Sequence, residues 1–310
     1  MSGIQKVVMA MAAVLTAASA APVTTAVAAA GEYSSWSPAV RVEATGAAQE
    51  FNGPSLDGCP FLSRDGKTFF MASTRPGGLG GIDIWISTRA SERDPWDAPV
   101  NAGAPVNSAA NDFCPTISRD GHRFFFVSNR PGGCGGDDIF ATRLRADGWD
   151  PVINLGCDAA GGPNSVGNEA SPAPLPERAT GPTLYFSSTR AGSPDIYRSQ
   201  SDGGVFGPAE PVSELNTAAA DAQPNLRRDG LEIVFFSNRP GAQGNDIYAA
   251  TRPSVTDPWG VPVNLGPAVN TAAAETRPML SWDGTELYFG STRPGGDGDS
   301  DHYVSTRERL

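Results

Sequence analysis

Five times along this chain an apolar run closes on a Ser-x-Arg step, passes through a glycine-rich loop and reopens at an aspartate. The copies read KTFFMASTRPGGLGGIDIW from Lys67, HRFFFVSNRPGGCGGDDIF from His122, PTLYFSSTRAGSPDIY from Pro182, LEIVFFSNRPGAQGNDIY from Leu231 and TELYFGSTRPGGDGDSDHY from Thr285. A chain that repeats one unit this often folds as an array of like elements. Proline-led segments at Pro60, Pro115, Pro172, Pro224 and Pro278 precede the copies, at separations of 55, 57, 52 and 54 residues. Several short strands within a period of about fifty predict an all-β, five-bladed β-propeller with four antiparallel strands per blade.

Four strands can be placed in each unit. The first starts at the proline, an Asp-Gly turn follows, the second is the aromatic run, and the third opens at the aspartate. The fourth begins at Trp96, Trp149, Phe206 or Trp259 and runs into a Pro-Val step. The second strand is apolar at nearly every position, as an interior strand covered on both faces should be. The glycine loop is therefore the hairpin turn between strands two and three, with no phosphate-loop lysine or strand-to-helix context. The fifth unit ends after its third strand, while an orphan strand, WSPAVRV from Trp36, precedes the first. That strand is expected to complete the last blade and remove an open sheet edge.

The first thirty residues hold one charge, Lys6, an apolar stretch from Val7 to about Ala18, and small residues in an Ala-x-Ala pattern. They read as a secretory signal peptide over residues 1–20, with Ala28 or Ala30 as later cleavage sites. Residues 21–34 read as a flexible linker and 35–310 as the propeller. The expected setting is exported, periplasmic or extracellular. A formal net charge of −11 argues against nucleic acid and anionic lipid as partners.

Three charged positions recur with the glycines. An arginine closes strand two (Arg75, Arg130, Arg190, Arg239, Arg293), an aspartate opens strand three (Asp83, Asp138, Asp195, Asp246, Asp301), and an acid stands three residues before the proline (Asp57, Asp112, Glu169, Asp221, Glu275). Antiparallel alternation places all three on one face of the disc. Two readings coexist. Each arginine bridges the two acids of its own blade, a task suited to the guanidinium fork, and the third set rings the channel mouth as an acidic ligand site.

The repeated order of proline, Asp-Gly, Ser-x-Arg, glycine loop and Asp-Ile resembles the WD40-like β-propeller repeat of the TolB type, from Trp36 to the C-terminus. Unit three departs from it, with LPERATG in place of the Asp-Gly turn and a shortened loop, and unit five has Asp301-His302 in place of Asp-Ile. The resemblance implies the fold and an exported bacterial setting. Relatives of this kind serve as binding scaffolds, envelope modules or accessory domains of enzymes, so no activity follows from it.

The remaining candidates are few. Asp297, Asp299 and Asp301 alternate like calcium-loop ligands but lack the glycine that should follow, so calcium is the one candidate cofactor. Cys59 and Cys114 share a repeat position in neighbouring blades, and Cys134 and Cys157 lie in loops of the same face. Export permits disulfides, and the expected pairs are Cys59 with Cys114 and Cys134 with Cys157. The histidines are His122 and His302, and no Gly-x-Ser-x-Gly elbow occurs. The preferred function is a monomeric binding or scaffold propeller for an envelope or secreted protein, peptide or glycan. The alternative is a glycoside hydrolase using carboxylates from different blades.

Overall fold

The computed structural model describes residues 33–42, 51–145, 148–177 and 181–310, with Pro176 and Glu177 described by backbone alone. The signal-peptide segment and most of the expected linker lie outside these residues. Five four-stranded antiparallel sheets form the blades of a β-propeller. From the axis outward, the first blade comprises Asp57–Leu62, Thr68–Ser73, Asp83–Thr88 and Val100–Asn101. The second comprises Asp112–Ile117, Phe124–Ser128, Asp138–Thr142 and Ile153–Asn154. The third has the longer strands Glu169–Glu177, Gly181–Ser188, Asp195–Asp202 and Val205–Pro211, and the fourth has Asp221–Leu226, Glu232–Ser237, Asp246–Thr251 and Val263–Asn264. The fifth joins Glu275–Leu280, Glu286–Ser291 and Asp301–Thr306 to the N-terminal strand Val40–Arg41, whose residues face Val304 and Tyr303.

Each inner strand touches the inner strand of the next blade, and the fifth touches the first, so the ring is closed. The apolar core is divided among the gaps between consecutive blades. Phe70, Phe124 and Phe126 fill one gap, Phe125, Leu184 and Phe186 the next, and Tyr185, Phe235 and Trp259 the third. Val234, Phe289 and Tyr303 fill the fourth, and Met71, Tyr288 and Val304 the last. This is why the second strands carry no alternation, and Phe124 to Ser128 is buried at every residue.

Three boundaries differ from the sequence reading. The inner strands begin at the acid rather than at the proline, because the acid already pairs across the sheet, as Asp57 does with Ser73. A bulge then follows in every blade: Cys59, Cys114, Ser171, Gln223 and Arg277 adopt positive φ of 48 to 58° immediately before their prolines. The ladder skips there, from Gly58 to Phe61 in the first blade, which accommodates a proline that cannot donate to it. The outer strands of blades one, two and four are only two residues long and begin after the tryptophan, and Trp149 belongs instead to a separate hairpin with Leu144–Arg145. The expected linker reaches too far, since Tyr33 bridges to Arg309 and lies 4.0 Å beneath the Arg307 guanidinium.

Candidate functional site

The repeated arginine meets only one of its two expected partners. Arg75, Arg130, Arg190, Arg239 and Arg293 pair with Asp57, Asp112, Glu169, Asp221 and Glu275 at 2.5 to 3.3 Å. Each guanidinium is also held by the serine closing its own strand, as Arg75 Nε is by Ser73 Oγ at 2.9 Å. The acids accept from the turn before them as well, where the backbone N–H of Gly53, Ser108, Ser165, Thr217 or Thr271 donates at 2.6 to 2.8 Å. All five acids have no solvent exposure. They are latches inside the disc wall, which corrects the expectation of an acidic ring presented at the channel mouth.

The aspartates opening strand three form no ion pair with these arginines. Asp83 accepts from the Leu79 and Gly80 N–H groups and from Asn101 Nδ2 at 3.1 Å, and Asp138 from Cys134 N–H and Asn154 Nδ2 at 3.1 Å. Asp246 accepts from Gln243 and Gly244 N–H and Asn264, and Asp301 from Asp297 N–H. The hairpin loop thus wraps around its own carboxylate, and this is what its glycines are for. A Cβ on Gly78 or Gly133 would lie 2.2 or 2.3 Å from the aspartate oxygen. Burial raises the pKa of Asp138, Asp195 and Asp301, none of which is paired with the repeat arginine of its blade.

A repeated residue that the charge pattern overshadowed joins the blades. Asn52, Asn107, Asn164, Asn216 and Asn270 stand five positions before the acids. Each accepts the N–H of the second residue of the preceding blade's third strand, at His302, Ile84, Ile139, Ile196 and Ile247, over 2.8 to 2.9 Å. The signal was present as an invariant spacing among loop residues.

The cysteines form Cys59–Cys114 and Cys134–Cys157, with Cα separations of 4.7 and 5.4 Å. The first staples the inner strands of two neighbouring blades and the second ties a glycine loop to the following connection. In the Asp297-x-Asp299-x-Asp301 segment Asp297 is paired with Arg41 from the N-terminal strand. Among the described residues no group of three or more His, Cys, Asp or Glu is placed to hold a metal ion.

The bore itself is lined by the bulge residues and their prolines, around a cavity of about 30 Å³. It shares Phe61, Thr116 and Asn225 with a second space of about 70 Å³ toward the Asp-Gly turns. At that end the walls are Leu62, Ile117, Leu175, Leu226 and Leu280, and the rim carries Trp282. The guanidiniums of Arg64, Arg119 and Arg228 lie 5.1, 5.7 and 5.8 Å from the Trp282 ring centre. These residues occupy one repeat position, the residue before Asp-Gly in Ser-Arg-Asp-Gly, Arg-Arg-Asp-Gly and Ser-Trp-Asp-Gly. The turns they flank bring them to a common rim, and a depression of about 420 Å³ opens beside Arg64, Arg119 and Trp282. The shared repeat position puts residues 64, 119, 228 and 282 at one end of their blades, but only the closed ring brings their side chains together.

The architecture defines the class: a five-bladed β-propeller with a narrow bore and a basic, aromatic rim. No protein-family model matches the chain, and no curated protein does. Solved structures do resemble it. An α-L-arabinofuranosidase of Podospora anserina, determined with cellotriose, superposes with a TM-score of 0.55 at 11% identity, over 90% of this chain and 97% of that one. The catalytic domain of a Coprinopsis cinerea α-L-arabinofuranosidase gives 0.54 at 12% identity, over 89% and 97%. A putative TolB of Agrobacterium tumefaciens gives 0.50 at 16% identity, over 90% and 99%. At such identities the likeness is one of fold.

Proposed function

We propose that this chain is an exported binding propeller that holds an acidic, partly apolar protein or peptide partner at the bore mouth on its Asp-Gly turn face. The rim carries the reading: the exposed Arg64 and Arg228 and the half-buried Arg119 converge on Trp282 above an apolar throat, the residue types that concentrate binding energy at protein interfaces. A guanidinium lying over an aromatic ring can still donate its N–H groups to carboxylates. Both disulfides support maturation in an oxidising, periplasmic or extracellular compartment. The partner face differs from the one that the acidic repeat suggests, because those acids are consumed internally.

A glycoside hydrolase is the second reading, supported by the likeness to arabinofuranosidases. Such chemistry needs two carboxylates facing a cleft about 5 to 9.5 Å apart. The five inner-strand acids are buried against arginines, so they are unsuited to the task.

One experiment separates the readings. The protein is presented to an acidic and neutral peptide library and to a glycan array, and is incubated with arabinan and xylan. Acidic peptides should bind, and affinity should fall at least tenfold in Trp282→Ala and in the triple variant Arg64→Ser, Arg119→Ser, Arg228→Ser. Peptide binding that survives in the triple variant, or release of sugar by the wild type, would overturn the proposal.

A further inference from the structure

The bulge position that lines the bore is occupied by Cys59, Cys114, Ser171, Gln223 and Arg277, and only one of these is charged. Two are consumed by their disulfide, Ser171 Oγ lies 3.5 Å from Cys114 Sγ, and Gln223 Oε1 accepts the Arg277 backbone N–H at 2.9 Å. The Arg277 guanidinium makes no hydrogen bond or ion pair with any described residue. It lies across Gly58, where an added Cβ would come 3.1 Å from Nη1. The other blades carry Phe113, Ala170, Ala222 and Thr276 at that position, so the missing side chain is what makes room for the guanidinium. The neighbouring acids do not neutralise it, since each already holds its own repeat arginine.

A half-buried cation without a protein partner, confined in a narrow bore, favours an anion as its counter-charge. We infer that Arg277 is the anchor of an axial anion site that takes a small carboxylate, the guanidinium gripping both oxygens while Gln223 and Ser171 face the rest of the group. The cavity of about 30 Å³ holds a group of a few heavy atoms, which suits a planar carboxylate better than a hydrated tetrahedral oxyanion. The site does not depend on the rim at the opposite mouth, so it can hold whether or not that rim binds a peptide. Burial alone presses the Arg277 pKa downward, and a bound carboxylate would reverse this.

The test uses sodium formate and sodium acetate against sodium chloride and sodium phosphate at matched ionic strength and pH. Formate and acetate should raise the melting temperature of the wild type in a saturating manner, beyond either control salt. Arg277→Gln should remove the difference, and Gly58→Ala should weaken it at least tenfold in apparent affinity. Because a bore variant can fold poorly, line broadening of 13C-labelled acetate is read in parallel, with Arg277→Lys retaining charge but not the two-pronged grip. Equal effects of acetate, chloride and phosphate in the wild type would overturn the inference, as would acetate broadening that persists in folded Arg277→Gln.

Discussion

His302 occupies the place that isoleucine holds in the other four blades, at Ile84, Ile139, Ile196 and Ile247, and it should make the protein acid-sensitive in a way that one substitution removes. Its side chain is fully buried, neither ring nitrogen has a partner among the described residues, and the ring packs edge-on to Phe51 and Phe69 at 5.9 and 5.4 Å. Burial first, then the positive charges of Arg75 and Arg277, push its pKa from 6.5 to about 3. Between these values the unfolded chain binds a proton that the folded one does not. The histidine's share of stability is therefore intact above pH 6.5 and is lost as pH falls toward 3. At roughly 1.36 kcal/mol per pH unit, the loss is about 2 kcal/mol at pH 5 and about 4 to 5 kcal/mol when complete. In His302→Ile this slope should vanish. Urea unfolding of both proteins at pH 7, 6 and 5 checks it, because contributions from the shared carboxylates cancel in the difference. The variant should gain on the wild type by about 2 kcal/mol between pH 7 and pH 5. A difference that stays constant over that interval refutes the reasoning.

The two acid sets should respond differently to neutralisation. Asp221→Asn strips the charge partner from the part-buried Arg239 and should cost about 3 to 5 kcal/mol, whereas Asp246→Asn disturbs only neutral donors and should cost about 1 kcal/mol per bond lost. Equal losses in chemical denaturation would contradict the latch. Replacing Cys59 and Cys114 by alanine opens a loop of 55 residues, against 23 for Cys134 and Cys157. Chain entropy alone then predicts losses of about 4 and about 3 kcal/mol, to be ranked by melting temperature. Deleting residues 1–42 removes the pairing of Val40 with Val304 and the stacking of Trp36 beneath Arg307, so the melting temperature should fall sharply. Added calcium should leave the melting temperature of the wild type unchanged, because Arg41 already occupies Asp297. A calcium-dependent rise that Asp299→Asn abolishes would reinstate a metal loop.

The propeller was legible in the sequence because a repeat announces itself through local chemistry. Turn glycines, prolines and apolar strands obey short-range rules, and five copies of one pattern leave little choice of architecture. Ring closure was legible by the same logic, since WSPAVRV had no partner except the blade lacking a strand. The choice between Asp57 and Asp83 for Arg75 was not, because both stand at one end of the blade and only the path of the glycine loop decides which carboxylate it encloses. Residues 64, 119, 228 and 282 meet at one rim, and residues 58 and 277 meet across one bore, through the curvature of a closed ring. That curvature belongs to the packing of blade against blade, a long-range property that no stretch of chain carries by itself.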